Sequence, residues 1–247
     1  MTHVVAGFPS KDESEDIVRM MARVGADAIE IQIPFSDPVA DGPTMMECNE
    51  QSLARGFAVD DAFLMAKQLS AEKGIPPLFF MTYYNIVFQR GVKRFCKEAK
   101  EAGIFGLIVP DMPIDEEKHE GFLAACKDNH LAWIPVVSPI TSCNRLSALS
   151  KYANGFWYVV SQSGVTGVRD RFSHAASSQI QWIREHSSLP IALAFGVSAK
   201  EHVRAVATDA DMAVIGSAVQ NFFLRSEHSF SCNLHDAEAF LRKVCKT

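Results

Sequence analysis

Short apolar runs and longer amphipathic stretches alternate along this chain of 247 residues, about eight times in all. The apolar runs are bounded by turn residues and often contain the β-branched residues that strands favour. Strands separated by helices run parallel, because the helix carries the chain back to the same end of the sheet. The pattern predicts parallel strands over residues 3–5, 28–33, 78–81, 106–109, 132–136, 157–161, 191–195 and 213–215.

The stretches between these strands carry signals that begin and end helices. In the first stretch, Ser10 and Glu13 form a capping box, apolar residues share one face, and Gly25 follows the last of them. Similar patterns predict helices near residues 92–102, 116–128, 144–152, 174–185, 200–207, 217–223 and 234–244.

Eight strand–helix units in about 250 residues are typical of the (β/α)8 TIM barrel, an α/β fold. A doubly wound open sheet of this length would usually have fewer and longer units, so it is the less favoured alternative. No linker or shift in composition divides the chain. We therefore predict one TIM-barrel domain over residues 1–247, with the functional site at the carboxyl ends of its strands.

Composition argues against several classes of function. The chain has a net charge of −5 and no basic runs interleaved with aromatic residues, which disfavours nucleic-acid binding. No apolar run reaches the ~20 residues of a membrane span, and the N-terminus lacks the pattern of a signal peptide. The six cysteines contain no C-x-x-C pair, so we expect reduced thiols and no metal site. These observations predict a cytoplasmic protein without a nucleic-acid or membrane partner.

An acidic residue, Glu30, interrupts the apolar run of the second predicted strand, and Asp37 and Asp41 follow on the next loop. A carboxylate on a buried strand must be paired, hydrogen-bonded or neutralised, and proteins usually accept that cost where chemistry happens. Pairing with a Lys or Arg of a neighbouring strand is the alternative. In a barrel, these acids and Asp111 would meet at the carboxyl ends of the strands.

Glycine-rich segments follow the sixth, seventh and eighth predicted strands. They are S-Q-S-G-V-T-G at 161–167, a turn at Gly196, and Gly216 with Ser217 at the start of a helix. Glycine lets backbone N–H groups approach an anion, and a helix N-terminus adds partial positive charge. No Walker loop occurs and no G-x-G-x-x-G follows the first strand, so the segments together predict a site for a small phosphate ester.

Several motifs resemble the alpha subunit of tryptophan synthase, over almost the whole chain. They are P-F-S-D-P-V-A-D-G-P at 34–43, S-G-V-T-G at 163–167, Y-N-I-V-F at 84–88, P-D-M-P at 110–113 and G-S-A at 216–218. The resemblance implies retro-aldol cleavage of indole-3-glycerol phosphate to indole and glyceraldehyde 3-phosphate in tryptophan biosynthesis. It also implies no metal or organic cofactor in this chain, and a pyridoxal-phosphate-dependent beta subunit as partner in an alpha2beta2 complex.

The resemblance assigns roles to individual residues. Glu30 matches the general acid and base that moves protons between indole C3 and the glycerol hydroxyl, and Asp41 matches the carboxylate that holds the indole N–H. Thr166 matches a loop residue that closes onto Asp41. The remaining matches are Tyr158 beside the catalytic carboxylate, Tyr83 and Asp111 at the indole pocket, and the phosphate contacts Gly167, Gly196, Gly216 and Ser217. For Tyr83 and Tyr158, simple packing at the barrel rim is an equally open interpretation.

Some residues depart from the family pattern. Gln32 replaces a typical glycine and, by strand alternation, points to the same side as Glu30. Gln162 replaces a typical loop arginine and Ala194 a glycine, and the usual N-terminal helix at the bottom of the barrel is missing ahead of Met1. Crowding the base and losing a loop-ordering arginine would each weaken transition-state stabilisation. We therefore expect impaired cleavage with the fold and partner binding retained.

Two hypotheses of different class follow. One is a working lyase, and the alternative is a largely non-catalytic subunit that binds and allosterically activates the beta subunit. A third interpretation, an aldolase or isomerase for another phosphosugar, needs a Schiff-base lysine or a strand-borne histidine, and no predicted strand interior supplies a lysine.

Overall fold

The strands of the chain form a parallel barrel in a computed structural model that describes residues 1–161, 174–194, 196, 199–224 and 227–245. Every predicted strand is confirmed within a residue or two at each end. The strands are β1 (Thr2–Val5), β2 (Ile29–Gln32), β3 (Leu78–Met81), β4 (Gly106–Ile108), β5 (Ala132–Ile134), β6 (Val136–Val137), β7 (Trp157–Val160), β8 (Ile191–Ala194) and β9 (Met212–Val214).

The barrel closes through two seams between its halves. Strands β1 to β5 pair in order, as do β6 to β9, and all these pairings are parallel. At the first seam β5 and β6 form one strand interrupted by Pro135, which has no N–H to donate but accepts a hydrogen bond from Tyr158 N. At the second seam Thr2 bridges to Ile215. The segments thus make eight barrel strands, which confirms the predicted TIM barrel; that one domain covers residues 1–247 stays a prediction.

Helices follow the strands around the outside of the barrel. They are α1 (Lys11–Arg23), α2 (Pro43–Ala54), α3 (Val59–Ser70), α4 (Tyr84–Arg90), α5 (Val92–Glu101), α6 (Glu117–Glu120), α7 (Phe122–Asp128), α8 (Cys143–Ser150), α9 (His174–His186), α10 (Lys200–Val206), α11 (Ser217–Leu224) and α12 (Phe230–Cys245), with a short 3-10 helix at Ile114–Glu116. The sequence analysis missed α2, α3 and α4. None of the described helices is long and apolar enough to cross a membrane.

Helix α1 shows how the local sequence builds these elements. The Ser10 hydroxyl accepts a hydrogen bond from Glu13 N and donates to the Glu13 carboxylate at 2.7 Å. Ile17 and Met20 are fully buried on the face toward the sheet. Gly25, with φ of +88°, follows the helix in a conformation that a side chain would disfavour. The predicted N-cap at Ser10 and the helix end are confirmed, whereas the Glu13 carboxylate binds the Ser10 hydroxyl and not the Ser10 N–H that a full capping box requires.

Strand alternation divides the core into two parts. Ile29 and Ile31 face the helices, whereas Glu30 and Gln32 face the barrel interior. The lower interior is apolar and includes the edge-to-face pair of Phe79 and Phe156, with ring centroids 5.3 Å apart. Polar side chains therefore concentrate in the upper part of the interior, at the carboxyl ends of the strands.

Candidate active site

Glu30 occupies the barrel interior as the sequence predicted. Its residue is 2% exposed, and in the sheet it lies between His3 of β1 and Phe79 of β3. The Tyr158 hydroxyl donates to Glu30 Oε2 at 3.3 Å, and His3 Nδ1 lies 3.6 Å from the same oxygen. Among the described residues no Lys or Arg pairs with Glu30, so the alternative of a structural ion pair receives no support there.

The protonation of Glu30 follows from this environment. Burial and the negative charge of Asp41 raise the pKa of Glu30 to about 8, against weaker opposing effects of the Tyr158 hydrogen bond and the N-terminal amino group. The side chain is therefore mainly a neutral acid at pH 7. A group whose pKa lies this close to neutrality can both donate and accept a proton during one reaction.

Asp41 lies on the loop after β2, and two side-chain amides bind it, one from β2 and one from α2. Gln32 Nε2 donates to Asp41 Oδ2 at 2.5 Å, and Asn49 Nδ2 donates to the same oxygen at 3.3 Å. Burial raises the pKa of Asp41, and the Gln32 hydrogen bond opposes that increase. The Tyr83 hydroxyl accepts from Ala40 N at 3.1 Å and so anchors the same loop.

His3 is a residue of the site that the sequence analysis missed. Its Nε2 lies 2.8 Å from Gln32 Oε1, so a polar chain runs from Glu30 through His3 and Gln32 to Asp41. His3 falls in the first predicted strand, but the partner that gives it a role, Gln32, lies 29 residues further along the chain. Gln32 does point to the same side as Glu30, as predicted, but its amide hydrogen bonds go to His3, Asp41 and Asn49.

A cavity of about 310 Å³ opens above these side chains. Its volume falls within the range of small-molecule sites. Among the described residues it is lined by His3, Glu30, Ala40, Asp41, Gly42, Pro43, Thr44, Met45, Met81, Ile108, Pro110, Val136, Tyr158, Val160, Ser161, Ala194, Gly196, Val214, Gly216 and Ser217. The structure thus brings six of the predicted site residues together around one cavity.

The other predicted site residues are placed differently. Tyr83 is fully buried and stacks on Phe35 with ring centroids 5.2 Å apart, so it supports the loop rather than lining the cavity. Asp111 accepts a hydrogen bond from Tyr84 N at 2.8 Å, at the start of α4, and does not line the cavity either. Thr166 and Gly167 lie outside the described residues, as does Gln162.

Part of the cavity wall is formed by small residues at the carboxyl ends of β8 and β9. Gly196 has φ of +75°, and Gly216 packs so closely on β1 that an added Cβ would lie 3.3 Å from His3 Cβ. Ser217 begins α11, whose first N–H groups have no preceding turn to bind. This wall can bind an anion. The described residues include no group of three His, Cys, Asp or Glu side chains suited to hold a metal ion.

Comparison with known proteins agrees with this geometry. The model of the tryptophan synthase alpha chain family matches residues 1–244. The chain belongs to the tryptophan synthase alpha chain family. The tryptophan synthase alpha chain of Desulfotalea psychrophila is 43% identical over 217 residues, which are 88% of this chain and 84% of that one. The Methanocaldococcus jannaschii alpha chain is 39% identical over 215 residues, 87% of this chain and 75% of that one.

Solved structures of tryptophan synthase show the same fold. The aminoacrylate-bound enzyme of M. tuberculosis superposes with a TM-score of 0.85 at 27% identity, over 98% of this chain and 90% of that one. A mutant alpha subunit of the hyperthermophile Pyrococcus furiosus gives a TM-score of 0.87 at 27% identity, over 100% of this chain and 97% of that one.

Tryptophan synthase alpha chains are lyases that cleave indole-3-glycerol phosphate, and they work with a beta subunit. Membership confirms the predicted family and the lyase activity. The alternative of a largely non-catalytic subunit is not favoured.

Proposed function

We propose that this chain cleaves indole-3-glycerol phosphate with Glu30 as the general acid and base and Asp41 as the partner of the indole N–H. The observation that carries the proposal is the buried carboxyl of Glu30, hydrogen-bonded by Tyr158, in a cavity that it shares with Asp41. Two carboxyl groups in different surroundings can take different roles, one as a proton carrier and the other as an ionised partner.

The reaction needs two proton transfers, which one carboxyl group can serve in turn. Glu30 donates its proton to C3 of the indole ring, and the positive charge that develops on the ring nitrogen is balanced by Asp41. The Glu30 carboxylate then removes the proton of the glycerol hydroxyl next to the bond that breaks. The carbon–carbon bond cleaves to give indole and glyceraldehyde 3-phosphate, and Glu30 regains its starting proton.

The substrate phosphate would bind at the glycine-rich wall. Gly196, Gly216 and Ser217 line the cavity, and Ser217 opens a helix whose N-terminus favours an anion. In the proposed complex Tyr158 keeps the Glu30 carboxyl in place through its hydrogen bond. Tyr83 and Asp111 are proposed to shape the indole pocket from behind the loops they hold, and Thr166 and Gly167 to contribute from the loop after β7.

We further propose that the chain assembles with its beta subunit in the cytoplasm as an alpha2beta2 complex. The pyridoxal phosphate of that complex would belong to the beta subunit, where the indole is consumed. This chain would supply indole without a metal or organic cofactor of its own. Family membership supports the pairing of alpha and beta subunits.

The departures at Gln32, Gln162 and Ala194 still predict slow cleavage. Gln32 engages Oδ2 of Asp41 at 2.5 Å, so the indole N–H must share Asp41 with an amide that is already bound. An ionised carboxylate has further lone pairs, which leaves room for both donors but weakens each. We expect turnover that is measurable and low.

The test is indole release from indole-3-glycerol phosphate by the purified chain, alone and with its beta partner. Wild type is compared with the double variant Gln32→Gly, Gln162→Arg and with Glu30→Gln, which keeps the side-chain volume but cannot carry the proton. We expect slow release by wild type, faster release by the double variant and release about 10³-fold slower than wild type by Glu30→Gln. Robust release by Glu30→Gln would overturn the proposed role of Glu30, and robust release by wild type would overturn the predicted impairment. Beta-subunit activation without any indole release would favour the non-catalytic alternative.

A further inference from the structure

Both ring nitrogens of His3 face groups of the proposed site. Nε2 lies 2.8 Å from Gln32 Oε1, and Nδ1 lies 3.6 Å from Glu30 Oε2. The backbone of His3 is fixed as well, because its carbonyl accepts from Gln220 Nε2 at 3.1 Å and its N–H donates to Ile215 O at 3.1 Å. The ring therefore lies between the two side chains.

Asp41 decides which way the Gln32 amide is turned. The Asp41 carboxylate accepts hydrogen bonds, so the NH2 group of Gln32 must face it, as the 2.5 Å contact shows. Gln32 Oε1 then faces His3 and can only accept. His3 must donate from Nε2, which leaves the lone pair of neutral imidazole on Nδ1, the nitrogen nearest Glu30.

We propose that His3 is a positioning residue whose Nδ1 lone pair, oriented through Gln32, holds Glu30 in its acid form before the reaction begins. This inference rests on the proposed function, in which Glu30 acts first as an acid. A lone pair facing a carboxyl oxygen favours the protonated carboxyl and opposes the carboxylate. The opposite tautomer, with a proton on Nδ1, would donate to Glu30 and favour the carboxylate. The orientation of one amide thus selects which form of Glu30 meets the substrate.

The length of the contact fits a proton that must be released. At 3.6 Å, Nδ1 and Oε2 are beyond normal hydrogen-bond distance. The lone pair therefore biases the carboxyl toward its acid form without trapping the proton in a strong bond. When substrate binds, small movements can bring the Glu30 proton within reach of the indole ring. Catalytic hydrogen bonds that are long in an unliganded site often shorten in the substrate complex.

The remaining titratable groups near His3 act in both directions. Burial lowers the pKa of His3, which favours the neutral ring, although the charge of Asp41 opposes this. The Tyr158 hydrogen bond and the N-terminal amino group both lower the pKa of Glu30, and they oppose its acid form less than burial and Asp41 favour it. Tyr83 faces Asp41 from the end of β3, and burial raises its pKa, so it stays neutral.

The tautomer can be read directly in the free protein by nitrogen-15 NMR of labelled histidine. We expect the His3 signals to show a protonated Nε2 and a bare Nδ1 at pH 7, and the assignment comes from a His3→Leu variant. A protonated Nδ1, in either a neutral or a charged ring, would overturn the proposal. Because no substrate is used, this result stands whether or not the chain releases indole.

The effect on Glu30 is measured by carbon-13 NMR titration of its labelled side-chain carboxyl, assigned with Glu30→Gln. We expect the midpoint to fall by about one pH unit in His3→Leu, which removes the lone pair. It should fall similarly in Gln32→Met, which keeps the volume but frees the ring to change tautomer. In His3→Gln the new amide can still bond to Gln32 but leaves no lone pair at the Nδ1 position, so the midpoint should fall there too.

Phe79→Leu, in the strand on the other side of Glu30, serves as the matched control and should keep the wild-type midpoint. An unchanged Glu30 midpoint in His3→Gln would show that His3 only packs against Gln32. A raised Glu30 midpoint in His3→Leu would show that His3 stabilises the Glu30 carboxylate in the wild type. Either result overturns the proposal. Where indole release is measurable, the basic limb of kcat should move to lower pH with the Glu30 midpoint, with little change in KM. If wild type releases no indole while the titrations follow the expected pattern, the proposed function fails and the positioning role of His3 survives.

Discussion

The two halves of the barrel contribute to the cavity in different ways. Strands β1 to β5 and the loop after β2 provide side chains that carry or share protons, namely His3, Glu30 and Asp41. Strands β6 to β9 add Tyr158 but otherwise present small residues at their ends, as at Gly196 and Gly216. The difference teaches that one half of the site depends on hydrogen-bonded side chains and the other on backbone geometry. Substitutions in the first half should therefore change proton transfer, and those in the second should change binding or backbone stability.

The largest expected effect comes from Glu30→Gln in the first half. Loss of a general acid and base typically costs 10²–10⁴-fold in rate, so kcat for indole release should fall by about 10³-fold. Steady-state kinetics check this, with a thermal melt to confirm that the variant is folded. Phe79→Leu, at the next position across the sheet, is the matched control and should lose far less. A fall in kcat of less than tenfold in Glu30→Gln would show that the first half of the barrel does not carry the proton transfer.

The same residue should control how stability depends on pH. Burial raises the pKa of Glu30 from 4.5 to about 8, so between these pH values the folded chain holds a proton that the unfolded chain releases. The free energy of unfolding must then fall as pH rises through this window. Relative to wild type, Glu30→Gln should gain about 2–4 kcal/mol between pH 5 and pH 8.

Urea denaturation of both proteins at pH 5 and pH 8 measures this difference. Asp41, whose pKa burial also raises, contributes in the same direction, and its interaction with the Glu30 carboxylate is lost in Glu30→Gln, so the expected difference belongs to the coupled pair. An equal difference in stability at the two pH values would contradict a raised pKa at Glu30.

Gly196→Ala tests the backbone of the second half. Gly196 has φ of +75°, with no atom within 4 Å of an added Cβ, so the cost is conformational and not a clash. We expect a loss of about 1–2 kcal/mol, or about 3–6 °C in Tm, by calorimetry. Gly196→Asn is the control, because asparagine adopts the left-handed conformation more readily than alanine does. Equal losses in the two variants would mean that the left-handed conformation at Gly196 is not the source of the cost.

Ser217→Ala should give the smallest effect. If Ser217 binds the substrate phosphate, losing one hydroxyl hydrogen bond should raise KM about three- to tenfold, with little change in kcat or in its pH profile. Steady-state kinetics across pH 6–9 separate these quantities. A fall in kcat with an unchanged KM would show that Ser217 acts in catalysis and not in binding, which would contradict the proposed difference between the two halves.

The strands and the acidic part of the site were predictable from local pattern. Apolar runs of strand length locate the barrel strands, and a lone Glu30 among Ile29 and Ile31 stands out against that pattern. Strand alternation also predicted correctly that Gln32 faces the interior. These properties depend only on residues close together in the chain.

The missed features depend on contacts between distant residues. The buried face of α2 includes Asn49 and Ser52, whose side chains bond to Asp41 and to the carbonyl of Ala6, so its apolar periodicity is weak. His3 is distinguished by Gln32, 29 residues further along the chain. No local pattern around His3 or Gln32 in the sequence predicts that they pair.

The seam between the first and last strands has a consequence for the exchange of backbone amides with solvent. β9 meets β1 through the isolated bridge of Thr2 with Ile215, so this edge should open more readily than the continuous ladder between β1 and β2. A ligand held by Glu30 at one end and Ser217 at the other would span that edge. Bound substrate should therefore slow deuterium uptake at the His3 amide, which makes a single backbone hydrogen a reporter of whether the barrel is filled.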